Sequence, residues 1–113
     1  MTKMLTYDEF LQIEMRVGKI IEVKDFNEAK KPAYQLRIDF GDKLGVKKSS
    51  AQLTTTYARE ELLGRQVVAV TNFPPKQIGP FISEVLVLGV ILEDGRVPLL
   101  NVDEEVPLGM RVL

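Results

Sequence analysis

The sequence predicts an all-β domain: a five-stranded barrel of Greek-key order with one helix between its third and fourth strands. Three observations predict it. Residues 15–23 and 34–40 alternate in polarity with a period of two, as half-buried strands do. The stretch TTTYAREELLG, residues 54–64, has the composition of a helix in mid-chain. Beyond it, the apolar runs VVAV and VLVLGVIL are separated by the proline-rich loop NFPPKQIGPF.

Taken in order, Thr6-Tyr7-Asp8-Glu9 has the S/T-x-x-E form of a capping box and predicts a short helix over 6–13, with Phe10 and Leu11 or Ile13 on its buried side. Met15 to Val23 is a long strand, expected to bend at Gly18. Tyr34, Leu36, Ile38 and Phe40 form the inner face of a second strand whose other face, with Gln35 and Arg37, is wet. Gly41-Asp42 marks a turn. Leu44 to Ala51 is a third strand in which Val46 shares parity with Lys48, a conflict that a bulge near Lys47–Lys48 would relieve. In the helix over 54–64 a threonine caps, Leu62 and Leu63 face the core and Gly64 terminates. Val67–Thr71 and Ile82–Leu92 read as buried strands, Asp94-Gly95 as a hairpin turn, and Pro98 places Val97–Val102 at an edge. VPLGMRVL ends the chain as a short apolar strand.

Three strands, a helix and two more strands is the element order of the OB-fold. Its binding face uses strands two and three, the loop between strands one and two (Asp25–Ala33 here) and the loop between strands four and five (Phe73–Phe81 here). The chain of 113 residues reads as a single domain with a core over about 13–92 and extensions at 1–12 and 93–113.

Composition bounds the chemistry. Cysteine and histidine are both absent. Disulfides, thiolate metal sites, the usual zinc ligand sets and histidine-dependent nucleophilic catalysis are therefore excluded. No metal and no cofactor is expected, and an enzyme would need carboxylates such as Glu84 with Lys76, which makes catalysis the weakest of the readings. No run of eighteen apolar residues occurs, so no membrane insertion is expected. The start, MTKMLTYDEF, has no apolar h-region, and a cytoplasmic location is the expectation. Net charge is −1, but nine Lys and Arg against five Asp and Glu fall in residues 26–83, and two against six in 84–113. That asymmetry is compatible with one basic face, while charge alone fits an ordinary solvated surface better.

On the OB-fold order, Lys30, Lys31, Arg37, Lys47 or Lys48, and Lys76 would converge on one groove, with Ser49, Ser50 and Gln52 as donors. Prolines 74, 75 and 80 would hold the loop in one shape at low entropic cost. Phosphates need such cations, and unstacked bases need aromatic platforms, of which Phe73 is the candidate, Tyr34 having core parity. Phe73, Pro74, Pro75, Ile78 and Phe81 equally offer an apolar surface for a polypeptide.

At RVGKI, KKPAYQLRIDFG, SSAQ, NFPPKQI, SEVLVLG and PLGMRVL the chain resembles the tRNA-binding OB-fold domain family, which includes the C-terminal appendage of methionyl-tRNA synthetases, and within it the CsaA-type branch of cytoplasmic, export-related chaperones. The resemblance covers nearly the whole chain. It implies a non-catalytic homodimer that binds tRNA or other structured RNA, or unfolded and precursor polypeptides. It also implies RNA contacts at Asn72, Lys76 and Ser83. Val85 and Leu86 stand where the broader family carries Gly and Met, which suits the chaperone branch better. Apolar residues beyond Leu92 and in the first helix exceed what a small barrel needs, and are expected to pack across a two-fold axis. The alternative is a structural dimerisation module with no nucleic-acid ligand.

Overall fold

A computed structural model describes residues 3–113; residues 1 and 2 of the N-terminal extension lie outside the described residues. Helix α1 (Tyr7–Leu11) is shorter than the span 6–13 but starts where the capping box requires. Thr6 Oγ1 accepts from the Glu9 N–H at 3.1 Å, and the Glu9 carboxylate accepts from the Thr6 N–H at 2.9 Å. The Thr6 backbone bond, then the Thr6 hydroxyl, hold the Glu9 carboxyl below its ordinary range.

Strand β1 (Met15–Asp25) pairs antiparallel with β2 (Tyr34–Asp39) on one side and with β4 (Gln66–Val70) on the other. Gly18 is a point of close approach: a Cβ there would lie 2.6 Å from Ile38 Cγ2 and 2.7 Å from Phe40 Cε1. The β1–β2 ladder is interrupted by a register shift between Ile20 and Glu22. That shift lets both Ile20 and Val23 pack against the core despite their odd spacing. The second strand follows its predicted alternation, with Tyr34, Leu36, Ile38 and Phe40 all buried.

Gly41-Asp42 opens a helical turn, α2 (Gly41–Leu44), so β3 (Val46–Ala51) begins two residues later than expected. The β2–β3 ladder runs without a break from Asp39↔Val46 to Tyr34↔Ala51, so the expected bulge is absent. No conflict exists to be relieved, because Val46 stands outside, 41% exposed, while the small Ser49 points inward and is fully buried.

Helix α3 (Arg59–Leu62) is a single turn. The threonines before it are drawn into other bonds, as side-chain-to-backbone bonding at such residues allows. Thr56 Oγ1 accepts from the Val97 N–H at 2.7 Å, and Thr55 Oγ1 donates to the Gly95 carbonyl at 3.3 Å. The N-cap is therefore Ala58, not a threonine, with the Glu61 carboxylate accepting its N–H at 2.8 Å. Leu62 is buried and Leu63 is not.

The apolar run Ile82–Leu92 is not one strand. The connection after β4 folds into a hairpin of β5 (Lys76–Ile78) and β6 (Phe81–Ser83), and β7 (Leu86–Val87) then pairs with β4. Between β6 and β7 the chain turns in to meet β3: the N–H groups of Glu84 and Val85 both donate to the Lys48 carbonyl, at 2.8 and 3.3 Å. This contact joins β3 to the β7 side of the order β3-β2-β1-β4-β7 and nearly closes the barrel. Residues 88–92 pair back against 96–100 around the Asp94-Gly95 turn. The edge strand expected over 97–102 does not form: the stretch makes an isolated bridge at Leu99, opposite Gly89, and Pro98 contributes its carbonyl to the Val90 N–H. The last strand, β8 (Arg111–Val112), pairs with Met15 and Arg16 of β1, and the adjoining Gly109 and Met110 bond the backbone of Val17.

Candidate nucleic-acid interface

The outer face of β2 and β3 carries Gln35, Arg37, Lys48 and Ser50. Arg37 and Lys48 are directly opposed in the ladder, as are Gln35 and Ser50. Two cations across a strand pair repel, and neither has an acidic partner within ion-pair distance among the described residues. Lys48 Nζ instead lies 5.4 Å from the centroid of the Phe81 ring, a cation–π contact.

Phe81 fixes the neighbouring elements. Its ring packs at 5.4 Å on that of Phe26, which begins the loop between β1 and β2. The same loop reaches the hairpin turn, where Glu28 Cβ faces Gly79. Lys30 and Lys31 are exposed on this loop. The hairpin is tied to β3 by the Ser50 N–H, which donates to Ser83 Oγ at 3.0 Å. Lys76 is the ladder partner of Ser83, so it stands on the side of the hairpin that meets β3. Arg37, Lys48 and Ser50 thus form one wall, which the Ser50–Ser83 bond joins to the hairpin strand pair carrying Lys76.

Beside that wall a cavity of about 380 Å³ opens between the hairpin and β7, lined by Phe73, Pro74, Lys76, Ser83, Glu84, Val85 and Leu86. Phe73, Pro74 and Pro75 are exposed, while Ile78 and Phe81 are half-covered. Gln52 is exposed just beyond β3.

Three predicted site residues do not face this wall. Ser49 has the parity of the core, is buried, and donates its hydroxyl to the Val85 carbonyl at 2.9 Å. Lys47 shares that inward parity, opposite Ile38, so Lys48 is the residue that serves the outer face. Asn72 clips α1 to the barrel: its Oδ1 accepts from the Glu14 N–H at 3.0 Å and its Nδ2 donates to the Gln12 carbonyl at 2.7 Å. Gln35 was not singled out, although it shares the parity of Arg37 and could have been found from it. Glu84 was named only with Lys76 in the catalytic reading; its place beside the wall had no local signal, because it depends on barrel closure.

A family model for a tRNA binding domain matches residues 15–111. The methionine–tRNA ligase of Pyrococcus abyssi is 44% identical over 107 residues, which make up 94% of this chain but 14% of that protein. Among solved structures, the CsaA chaperone of Bacillus anthracis superposes with a TM-score of 0.92 at 47% identity, covering 98% of this chain and 100% of that one. The CsaA chaperone protein of Picrophilus torridus gives 0.90 at 55% identity, covering 97% and 100%. The matched span, the barrel order and these likenesses agree: the chain belongs to the tRNA-binding domain family and shares its fold with the CsaA chaperones.

Proposed function

We propose that this protein is a non-catalytic, cytoplasmic homodimer of the CsaA type that binds tRNA on the β2–β3 wall. One observation carries the reading. Arg37 and Lys48 oppose each other across a ladder, with Lys76 on the adjoining hairpin, and none of the three cations forms an ion pair among the described residues. Such a cluster repels itself in the free protein and is relieved by a ligand that brings closely spaced negative charge, as a phosphate backbone does.

Bulk tRNA in a gel shift tests it. The account expects retarded RNA at low salt and a steep loss of affinity as salt rises. No shift even at low salt would retire the RNA reading and leave a dimerisation module without a nucleic-acid ligand.

A second reading rests on the exposed Phe73, Pro74 and Pro75 at the cavity mouth. These offer unfolded or precursor polypeptides an apolar surface, and the CsaA relatives are named as chaperones. An export-related role belongs to the same proposal. Suppression of client aggregation at stoichiometric ratios, lost when the apolar loop residues are truncated, would support it.

The homodimer accounts for apolar side chains left outside, Met4, Leu5, Met110 and Leu113 in the terminal extensions and Val90 and Ile91 just before the second of them, which are 50–85% exposed. A second copy across a two-fold axis would cover them. A monomer mass by light scattering at micromolar concentration would remove it.

A further inference from the structure

We infer that the cavity between the β5–β6 hairpin and β7 is a nucleobase pocket, in which one oxygen of Glu84 selects bases that carry an amino group. The inference rests on the RNA reading above and goes further by assigning base preference to one residue.

The cavity suits a nucleotide. Its volume of about 380 Å³ falls in the range of small-ligand sites, roughly 300–1,000 Å³. Phe73, Pro74, Val85 and Leu86 make apolar walls, and Lys76 and Ser83 line it on the side that adjoins the basic wall. A flat apolar body next to an anion is what this combination complements. Phe73, 53% exposed, presents a ring for stacking, which tolerates any base.

Glu84 is the element that stacking does not explain. Its backbone N–H donates to the Lys48 carbonyl at 2.8 Å, while its Oε1 accepts from the Lys48 N–H at 3.0 Å. These two bonds to one residue of β3 hold the carboxylate in place. Oε2 has no hydrogen-bond partner among the described residues. A carboxylate beside a wall of lysine and arginine repels phosphate, so it favours RNA only where it accepts a hydrogen from the ligand. Cytosine presents its N4 amine as a donor where uracil presents the O4 acceptor. The two pyrimidines are nearly the same size, and comparing them isolates that one contact.

Glu84→Gln is the sharpest probe. The glutamine oxygen can keep the bond to the Lys48 N–H, and its amide nitrogen then takes the place of Oε2, turning an acceptor into a donor. Fluorescence anisotropy with short oligocytidylate and oligouridylate at low salt reads the result. The wild-type chain is expected to bind oligocytidylate roughly tenfold more tightly, the effect of one hydrogen bond to a charged group. In Glu84→Gln the ratio should fall to about one or invert. Phe73→Ala, at a half-exposed site, should also lower the ratio, because the base is no longer held against Glu84.

Equal affinity for both oligomers in the wild-type chain would overturn the base pocket while leaving RNA binding intact. If polypeptide binding is then lost in Phe73→Ala, the cavity belongs to polypeptides. A cytidine preference that persists in both variants would also overturn the inference. Failure of both oligomers and of bulk tRNA to bind would remove it together with the RNA reading.

Discussion

The two flanks of β3 are built in different ways. Toward β2 it makes an unbroken ladder of six residue pairs from backbone bonds alone, with Leu36 and Ile38 beneath it. Toward β7 it is held by side chains as well as backbone: Ser83 Oγ takes the Ser50 N–H, Glu84 Oε1 takes the Lys48 N–H, and Ser49 Oγ donates to the Val85 carbonyl. The first flank would form with almost any sequence of the right alternation. The second needs particular residues, and it is where the cavity and the hairpin carrying Lys76 lie. The regular side presents Arg37 and Lys48 on its outer face, and the irregular one holds the cavity and the hairpin with Lys76.

Substitutions on the two flanks sharpen this contrast. The largest effect is expected at Leu36, fully buried in the ladder flank: Leu36→Ala should lower unfolding stability by about 2–5 kcal/mol in denaturant titration. Ser49 is the ladder partner of Leu36 but serves the other flank. Ser49→Ala leaves the Val85 carbonyl without its hydroxyl donor and should cost about 1–3 kcal/mol. In hydrogen exchange it should speed the amides of Glu84 and Val85 while those of β2 stay slow. Equal acceleration on both flanks would break the comparison.

The smallest effect lies outside both flanks, at α1. The carboxyl of Glu9 is held below its ordinary value of 4.5 by its bonds to Thr6. A lowered folded-state pKa means that the capping box contributes fully above that ordinary value. Its contribution is lost as pH falls through the lowered one. A titration followed by NMR should show α1 amides losing protection only at that acidic end, and Thr6→Ala should abolish the dependence.

The same contrast decides what was legible in the sequence. The β2 side was readable because Tyr34 to Phe40 alternates strictly, and a period of two has one interpretation when one face is buried. Gly18 was noticed, but its reason was not, since the clash that excludes a Cβ involves Ile38 and Phe40 some twenty residues away. The β7 side resisted reading. The run VLVLGVIL has the composition of a buried strand, yet Ile91 is 85% exposed and only Val85 is buried. Apolar composition says that burial is favourable, not which surface supplies it. Ser49 was misassigned for a related reason. A serine between two lysines and another serine reads as solvated, and its burial follows from the parity that an unbulged β3 imposes. That Arg37 faces outward was anticipated from the alternation of the second strand. The clip made by Asn72 was not, because its partners are backbone atoms of residues 12–14.

The central claim is that cations from separate strands act on RNA as one wall. The most direct test is the salt dependence of bulk tRNA binding in Lys76→Ala and Lys43→Ala. Lys43 is also exposed but sits on α2, beyond the Asp39–Val46 end of the β2–β3 ladder, whereas the hairpin meets the ladder at Ser50. The account predicts that Lys76→Ala lowers the slope of log affinity against log salt by about one and that Lys43→Ala leaves it unchanged. The same loss in both variants, or no loss in either, would contradict it.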